Sequence, residues 1–189
     1  MYGGMSMNYW IGQAFGIFAT IAGVSVPVFK KKWQMLVMSL ANNVFGALNL
    51  VFLNAIGSGI FLFAVAAVQA VVNIGHARRN TSSKAFEKIL FVILYLGLGF
   101  YGLFTGPNYV PGVNAQNMIE LLPIIAAVMN MCFVFSPGEK QARIFFVLCN
   151  GLWMCYYIII GSSAVLGSVI SVGTGLFALY QNREKKKIR

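Results

Sequence analysis

The stretch ILFVILYLGLGFYGLF, residues 89–104, contains no charge and no polar side chain other than Tyr95 and Tyr101. Crossing about 30 Å of hydrocarbon takes roughly 20 predominantly apolar residues, so with its neighbours this run reads as a membrane helix over 88–105. Its position decides the plan. Three apolar runs precede it, at about 9–29, 33–54 and 58–77, and three follow, at about 118–136, 143–160 and 163–181. A single extra crossing between two triplets inverts the chain, so that the second triplet enters the bilayer from the same side as the first. The expected fold is therefore an all-α membrane protein with seven transmembrane helices. Two parallel three-helix bundles, 1–80 and 118–189, are joined by the linker helix and outer loop of 81–117. Parallel repeats about an axis along the membrane normal recur in small transporters, including the SWEET proteins.

Composition supports this. The 189 residues are 59% hydrophobic and only 10% charged, with a mean hydropathy of +0.76, outside the range of soluble domains. A net charge of +10 would suit a nucleic-acid partner if it formed a solvated basic face. Here the basic residues sit in short loops between apolar runs, so the expected partner is the lipid bilayer and no nucleic acid.

The placement of those charges gives an orientation. Lys30, Lys31 and Lys32 follow the first run. Arg78, Arg79, Lys84 and Lys88 lie between the third and fourth, and Lys140 and Arg143 between the fifth and sixth. Arg183, Lys185, Lys186, Lys187 and Arg189 follow the seventh. All fall on one side of a seven-helix topology, which predicts an outside N-terminus and a cytoplasmic C-terminus. The first run is longer than a signal-peptide core and has no basic residue before it, so it reads as a retained span. A register that sets Gly57-Ser58 on Gly161-Ser162 also sets Arg79 on Arg183, a weak internal repeat.

Enzymatic chemistry lacks its parts. There is one histidine, no aspartate and no paired carboxylates, and no serine, threonine or cysteine has an evident base. Cys132, Cys149 and Cys155 lie in apolar runs without metal-ligand spacing, so neither a metal nor a disulfide framework is expected. No phosphate-binding glycine loop is present, and no cofactor is expected.

Polar side chains inside the spans carry the functional reading, because each needs a partner or an aqueous cavity. Asn42 and Asn49 share a face of helix 2 with Gly46. Gln69, Asn73 and His76 form one stripe on helix 3, and Asn150, Trp153 and Tyr157 another on helix 6. Asn42, Gln69, Asn73, Asn150 and Trp153 are the candidate lining of a mid-membrane pocket for a small polar solute. The bland alternative is hydrogen bonding between helices. Gly12 and Gly16 make a G-x-x-x-G step suited to close helix contact.

Glu120, Pro27 and Pro123 are the candidate gate or coupling residues. Pro27, like Pro137, stands near the end of a run, where it serves as a hinge or a stop. Glu120 stands at the outer end of helix 5, three residues after Asn117, as in a capping box. The other reading of Glu120 is an outer gate or proton-coupling group, since it is the one acid on a face with no base.

YWIGQAFGIFATIAG at residues 9–23, IELLPII at 119–125 and the segment from Trp153 to Gly161-Ser162 resemble the YgjV family of bacterial inner-membrane proteins. Tyr9, Trp10, Gln13, Gly16, Glu120, Leu121, Leu122 and Pro123 are the most specific matches. The resemblance implies a polytopic cytoplasmic-membrane protein. That family is in turn similar to the PQ-loop group, with its three-plus-one-plus-three helix plan. The Pro-Gln dipeptide is absent here, since Pro27 precedes Val28 and Pro123 precedes Ile124. The function expected is a small-solute carrier working by alternating access, with a second copy of the chain as a further candidate partner. The rival is a receptor or scaffold binding a peptide, lipid or protein, for which the basic tail REKKKIR, residues 183–189, would serve.

Overall fold

A computed structural model describes residues 7–26, 32–79, 81, 83–107, 109–112, 114–135 and 139–187. Pro27 and Pro137 lie outside the described residues. Among the described residues seven helices follow one another: α1 Met7–Ser25, α2 Lys32–Phe52, α3 Ser58–Arg78, α4 Ala85–Thr105, α5 Ala115–Phe135, α6 Glu139–Ile159 and α7 Val165–Lys187. Among the described residues there is no strand. Of the described residues, four helical spans are long and apolar enough to cross a bilayer: Trp33–Phe52, Ser58–Arg78, Ala85–Thr105 and Ala115–Phe133. In α6 and α7 the apolar part is shorter, Ile144–Ile159 and Val165–Phe177.

The helices alternate in direction. The described basic residues consequently gather at one end, at the starts of α2, α4 and α6 and the ends of α3 and α7. The other end, where α2 turns into α3 and α6 into α7, carries none; it is called the neutral end below.

Six helices close a ring. α1 packs on α2, α2 on α3, α3 on α5, α5 on α6, α6 on α7 and α7 on α1. The remaining helix, α4, rests on α3 and α5. It buries Phe91, Tyr95 and Leu103 with Leu62, Val65, Ile124, Ala127 and Met131. It turns Ile89, Ile93, Phe100 and Phe104 outward, as a lipid-facing surface requires.

Lipid tails are as apolar as leucine, so helix contact here depends on close packing and hydrogen bonds more than on the hydrophobic effect. Small residues supply the closeness. A Cβ at Gly46 would stand 2.8 Å from the Phe63 ring, and one at Gly102 would stand 2.9 Å from Ser58 Cα. Gly12 of the G-x-x-x-G step lies on Phe52, the last residue of α2, and on Leu53 just after it, and Gly16 lies on Ser163 and Ala164 before α7. The middle of the ring toward the neutral end is filled by Leu50, Phe63, Tyr156 and Tyr157, with Trp153 stacked on Phe63 at 4.8 Å and on Tyr157 at 5.4 Å.

Candidate functional site

The neutral end is built from two matching chain reversals. α2 stops at Asn54, whose φ of 57° lies in the left-handed region. There the Ala55 N–H donates to Leu50 O at 2.9 Å and the Asn54 N–H to Val51 O at 3.0 Å. α6 stops at Gly161, with a φ of 66°. There the Ser162 N–H donates to Tyr157 O at 2.9 Å and the Gly161 N–H to Ile158 O at 3.2 Å. Both are Schellman endings, which satisfy the last carbonyls of a helix through a left-handed residue.

Each reversal delivers a serine to the head of the next helix, where backbone N–H groups lack partners within the helix. An oxygen from a different helix satisfies them. The Ser58 N–H donates to Glu120 Oε2 at 2.9 Å, and Ser58 Oγ donates to Glu120 O at 2.6 Å and to Oε2 at 3.0 Å. In the second reversal the Ser163 N–H donates to Gln13 Oε1 at 2.6 Å, and Ser163 Oγ donates to Gln13 O at 2.7 Å. Gln13 Nε2 also donates to Gly161 O at 2.6 Å. Thus α5 is tied to the head of α3, and α1 to the head of α7, by the same pair of bonds.

The spacing repeats as well. Gln13 precedes Glu120 by as many residues as Lys32 precedes Glu139, Phe52 precedes Ile159 and Asn54 precedes Gly161. This corrects the sequence register that placed Gly57-Ser58 on Gly161-Ser162. The equivalent of Ser58 is Ser163, because the loop after Gly161 is two residues shorter than the loop after Asn54.

Glu120 is buried, with 7% of its surface exposed, and Ser58 is fully buried. The carboxylate packs so closely on Gly57 that no Cβ fits there. It sits at the positive end of α3. Among the described residues no ion pair includes it, the pair present being His76–Glu87 at the basic end. The ring of Tyr156, also fully buried, brings its hydroxyl beside the carboxylate, outside hydrogen-bonding geometry. Asn49, fully buried, joins the other reversal: its Nδ2 donates to Gly12 O at 2.7 Å, and its Oδ1 accepts from Ser162 Oγ at 2.7 Å. A groove of about 490 Å³ opens beside it, between Trp10, Gln13, Tyr157 and Ser163.

The capping box expected of Asn117 and Glu120 is not formed. Asn114 caps α5, its Oδ1 accepting the Asn117 N–H at 2.9 Å, while the Asn117 amide holds Val110 O and Gly112 O. Glu120 is one turn too far into α5 to reach that helix's own free donors, and it meets those of α3 instead. Pro123 is fully buried inside α5.

The other sequence-selected residues are distributed among several contacts. Gln69 Oε1 accepts from Tyr95 Oη at 2.8 Å, and Asn73 Oδ1 from Ser83 Oγ at 3.1 Å. His76 Nε2 lies 3.0 Å from Glu87 Oε2. The whole α3 stripe therefore faces α4 and the loop before it. Asn42 Oδ1 abuts Gly23 of α1. Asn150 Nδ2 donates to Phe146 O of its own helix at 2.9 Å. Trp153 belongs to the aromatic cluster that Phe63 and Tyr157 share.

Sequence reading missed Gln13, Ser58 and Ser163 as partners. The usable signal was the pair of isosteric residues, Gln13 and Glu120, at like depth in α1 and α5. Among curated proteins and among solved structures, no match was found. A family model described as a bacterial inner membrane protein matches residues 10–186. With nearly its whole length inside that match, the chain belongs to the Imp-YgjV family of bacterial inner membrane proteins.

Proposed function

We propose that this protein is a carrier for a small polar solute, with no enzymatic activity, crossing the inner membrane seven times with its N-terminus outside. In this reading two three-helix bundles joined by α4 rock about a central pathway, the plan of the SWEET and PQ-loop carriers. The observation that supports it is the duplicated contact at the neutral end, Glu120 on Ser58 and Gln13 on Ser163. Each ties the first helix of one triplet to the last helix of the other. A rigid-body rotation between the triplets would break both together, which is how a gate at one face of the membrane behaves. Asn42, Gln69, Asn73, Asn150 and Trp153 remain the candidate solute contacts, and opening would free Gln69 and Asn73 from Tyr95 and Ser83.

A thermal-shift screen of purified protein against small polar metabolites tests this, because a ligand of the folded state raises apparent stability. Stabilising compounds would then be assayed for counterflow in proteoliposomes. Exchange that disappears in Asn73→Leu and Asn150→Leu supports the carrier. Stabilisation by a peptide or lipid alone, with no solute exchanging, would support the receptor reading in its place.

A further inference from the structure

The two reversals provide an internal comparison. Gln13 makes the same pair of bonds to Ser163 that Glu120 makes to Ser58, with similar distances and without a charge. A neutral amide is therefore sufficient for the contact. Glu120 puts an ionisable group in the same role at a buried site, where a charge is costlier to hold than an amide. The contact alone does not require that charge.

The groups around Glu120 are arranged for a change of protonation. Both Ser58 donors converge on Oε2, leaving Oε1 without a donor from Ser58. The Tyr156 oxygen, buried beside the carboxylate, has no partner in hydrogen-bonding geometry. A phenol oxygen is able to accept a hydrogen bond as well as to donate one, so it is available to a protonated carboxyl group. From α3 and the loop before it come Ser58 and Gly57, and from α4 comes Gly102 against Ser58. From α6, Tyr156 stands beside the carboxylate and Tyr157 beside Tyr156.

We propose that Glu120 is a proton-binding site and that its protonation loosens the attachment of α5 to the head of α3. The proton comes from the aqueous phase at the neutral end and resides on a carboxyl oxygen; no other bond is made or broken except hydrogen bonds. Ionised, the carboxylate accepts charge-assisted bonds and faces the positive end of α3; protonated, it loses both advantages. The proposal rests on the carrier reading only for its consequence, that the solute moves with a proton.

Infrared spectra of purified protein, recorded over a pH series, test the site directly. The chain has only four acids, so one carboxyl band can be assigned by difference. The wild-type spectra minus those of Glu120→Gln are expected to show one carboxylate band exchanging for a carboxylic acid band as pH falls. In a background lacking Cys132, Cys149 and Cys155, a cysteine at the buried Leu50 reports loosening. Its labelling by a water-soluble maleimide should rise on acidification, become indifferent to pH with Glu120→Gln, and recover its pH response when Gln13→Glu is added to Glu120→Gln. An infrared band or a labelling profile unchanged by Glu120→Gln would overturn the proposal. Should that variant not fold, Tyr156→Phe removes the acceptor and must shift the midpoint of the band change; an unmoved midpoint also overturns it. Protonation and labelling changes without exchange of any solute would uphold the proton site and remove the carrier. Solute exchange with no band at Glu120 would do the reverse.

Discussion

Gln13 and Glu120 hold equivalent places in α1 and α5, each accepting a serine N–H from the head of another helix, α7 and α3, at 2.6 Å and 2.9 Å. Each also accepts that serine's hydroxyl through its own backbone carbonyl. The equivalence locates the stabilising contacts at the neutral end and sets the substitutions that test them.

Gly57→Ala should destabilise the protein by about 1–3 kcal/mol. The new methyl displaces the Glu120 carboxylate and leaves the buried Ser58 N–H unpaired. Gly97→Ala, at an exposed helix position with nothing within 4 Å, should be neutral or stabilising by up to about 1 kcal/mol. Melting of both variants in the same detergent gives the comparison; equal melting temperatures would count against the packing described.

Asn49→Ala and Ser162→Ala should not add. Ser162 Oγ donates to Asn49 Oδ1 at 2.7 Å between two buried residues, so a double-mutant cycle should return a coupling of about 0.5–3 kcal/mol. A coupling near zero would mean that the bond contributes nothing to stability.

Gln69→Leu alone leaves the buried Tyr95 hydroxyl without its acceptor and should cost about 1–3 kcal/mol. Adding Tyr95→Phe should restore most of that loss, because replacing both partners by apolar groups is nearly neutral. The pair also separates packing from solute binding: a stable double variant that no longer exchanges solute would make Gln69 a ligand as well as a packing residue.

Single cysteines at Thr81 and Val110 should label from opposite sides of the membrane. Thr81 follows the basic end of α3, and Val110, 54% exposed, lies in the loop between α4 and α5 at the neutral end. In oriented cells the positive-inside rule predicts that an impermeant maleimide reaches Val110→Cys and not Thr81→Cys. The reverse pattern would invert the topology.

Much of the local plan was readable from the chain. The run at 89–104 announced α4, and the seven helices lie within a few residues of their apolar stretches. The Gln69, Asn73 and His76 stripe was a true single face. Its partners were not readable, because helical spacing says which residues share a face and not which helix that face meets. Glu120 was recognised as a carboxylate serving a helix N-terminus, but the helix proved to be α3 and not its own.

Hydropathy and charge are properties of short segments, so the sequence by itself determined the membrane class, the number of helices and the gathering of basic residues at one end. Only the tertiary structure decided that Gln13 answers Ser163, that Glu120 answers Ser58 and that Tyr156 lies against the buried Glu120 carboxylate. In a bilayer every helix face is already in an apolar solvent, so hydrophobic pattern alone does not orient the helices. Their neighbours are chosen by close approach at small residues and by the pairing of a few polar atoms, and those depend on where distant parts of the chain meet.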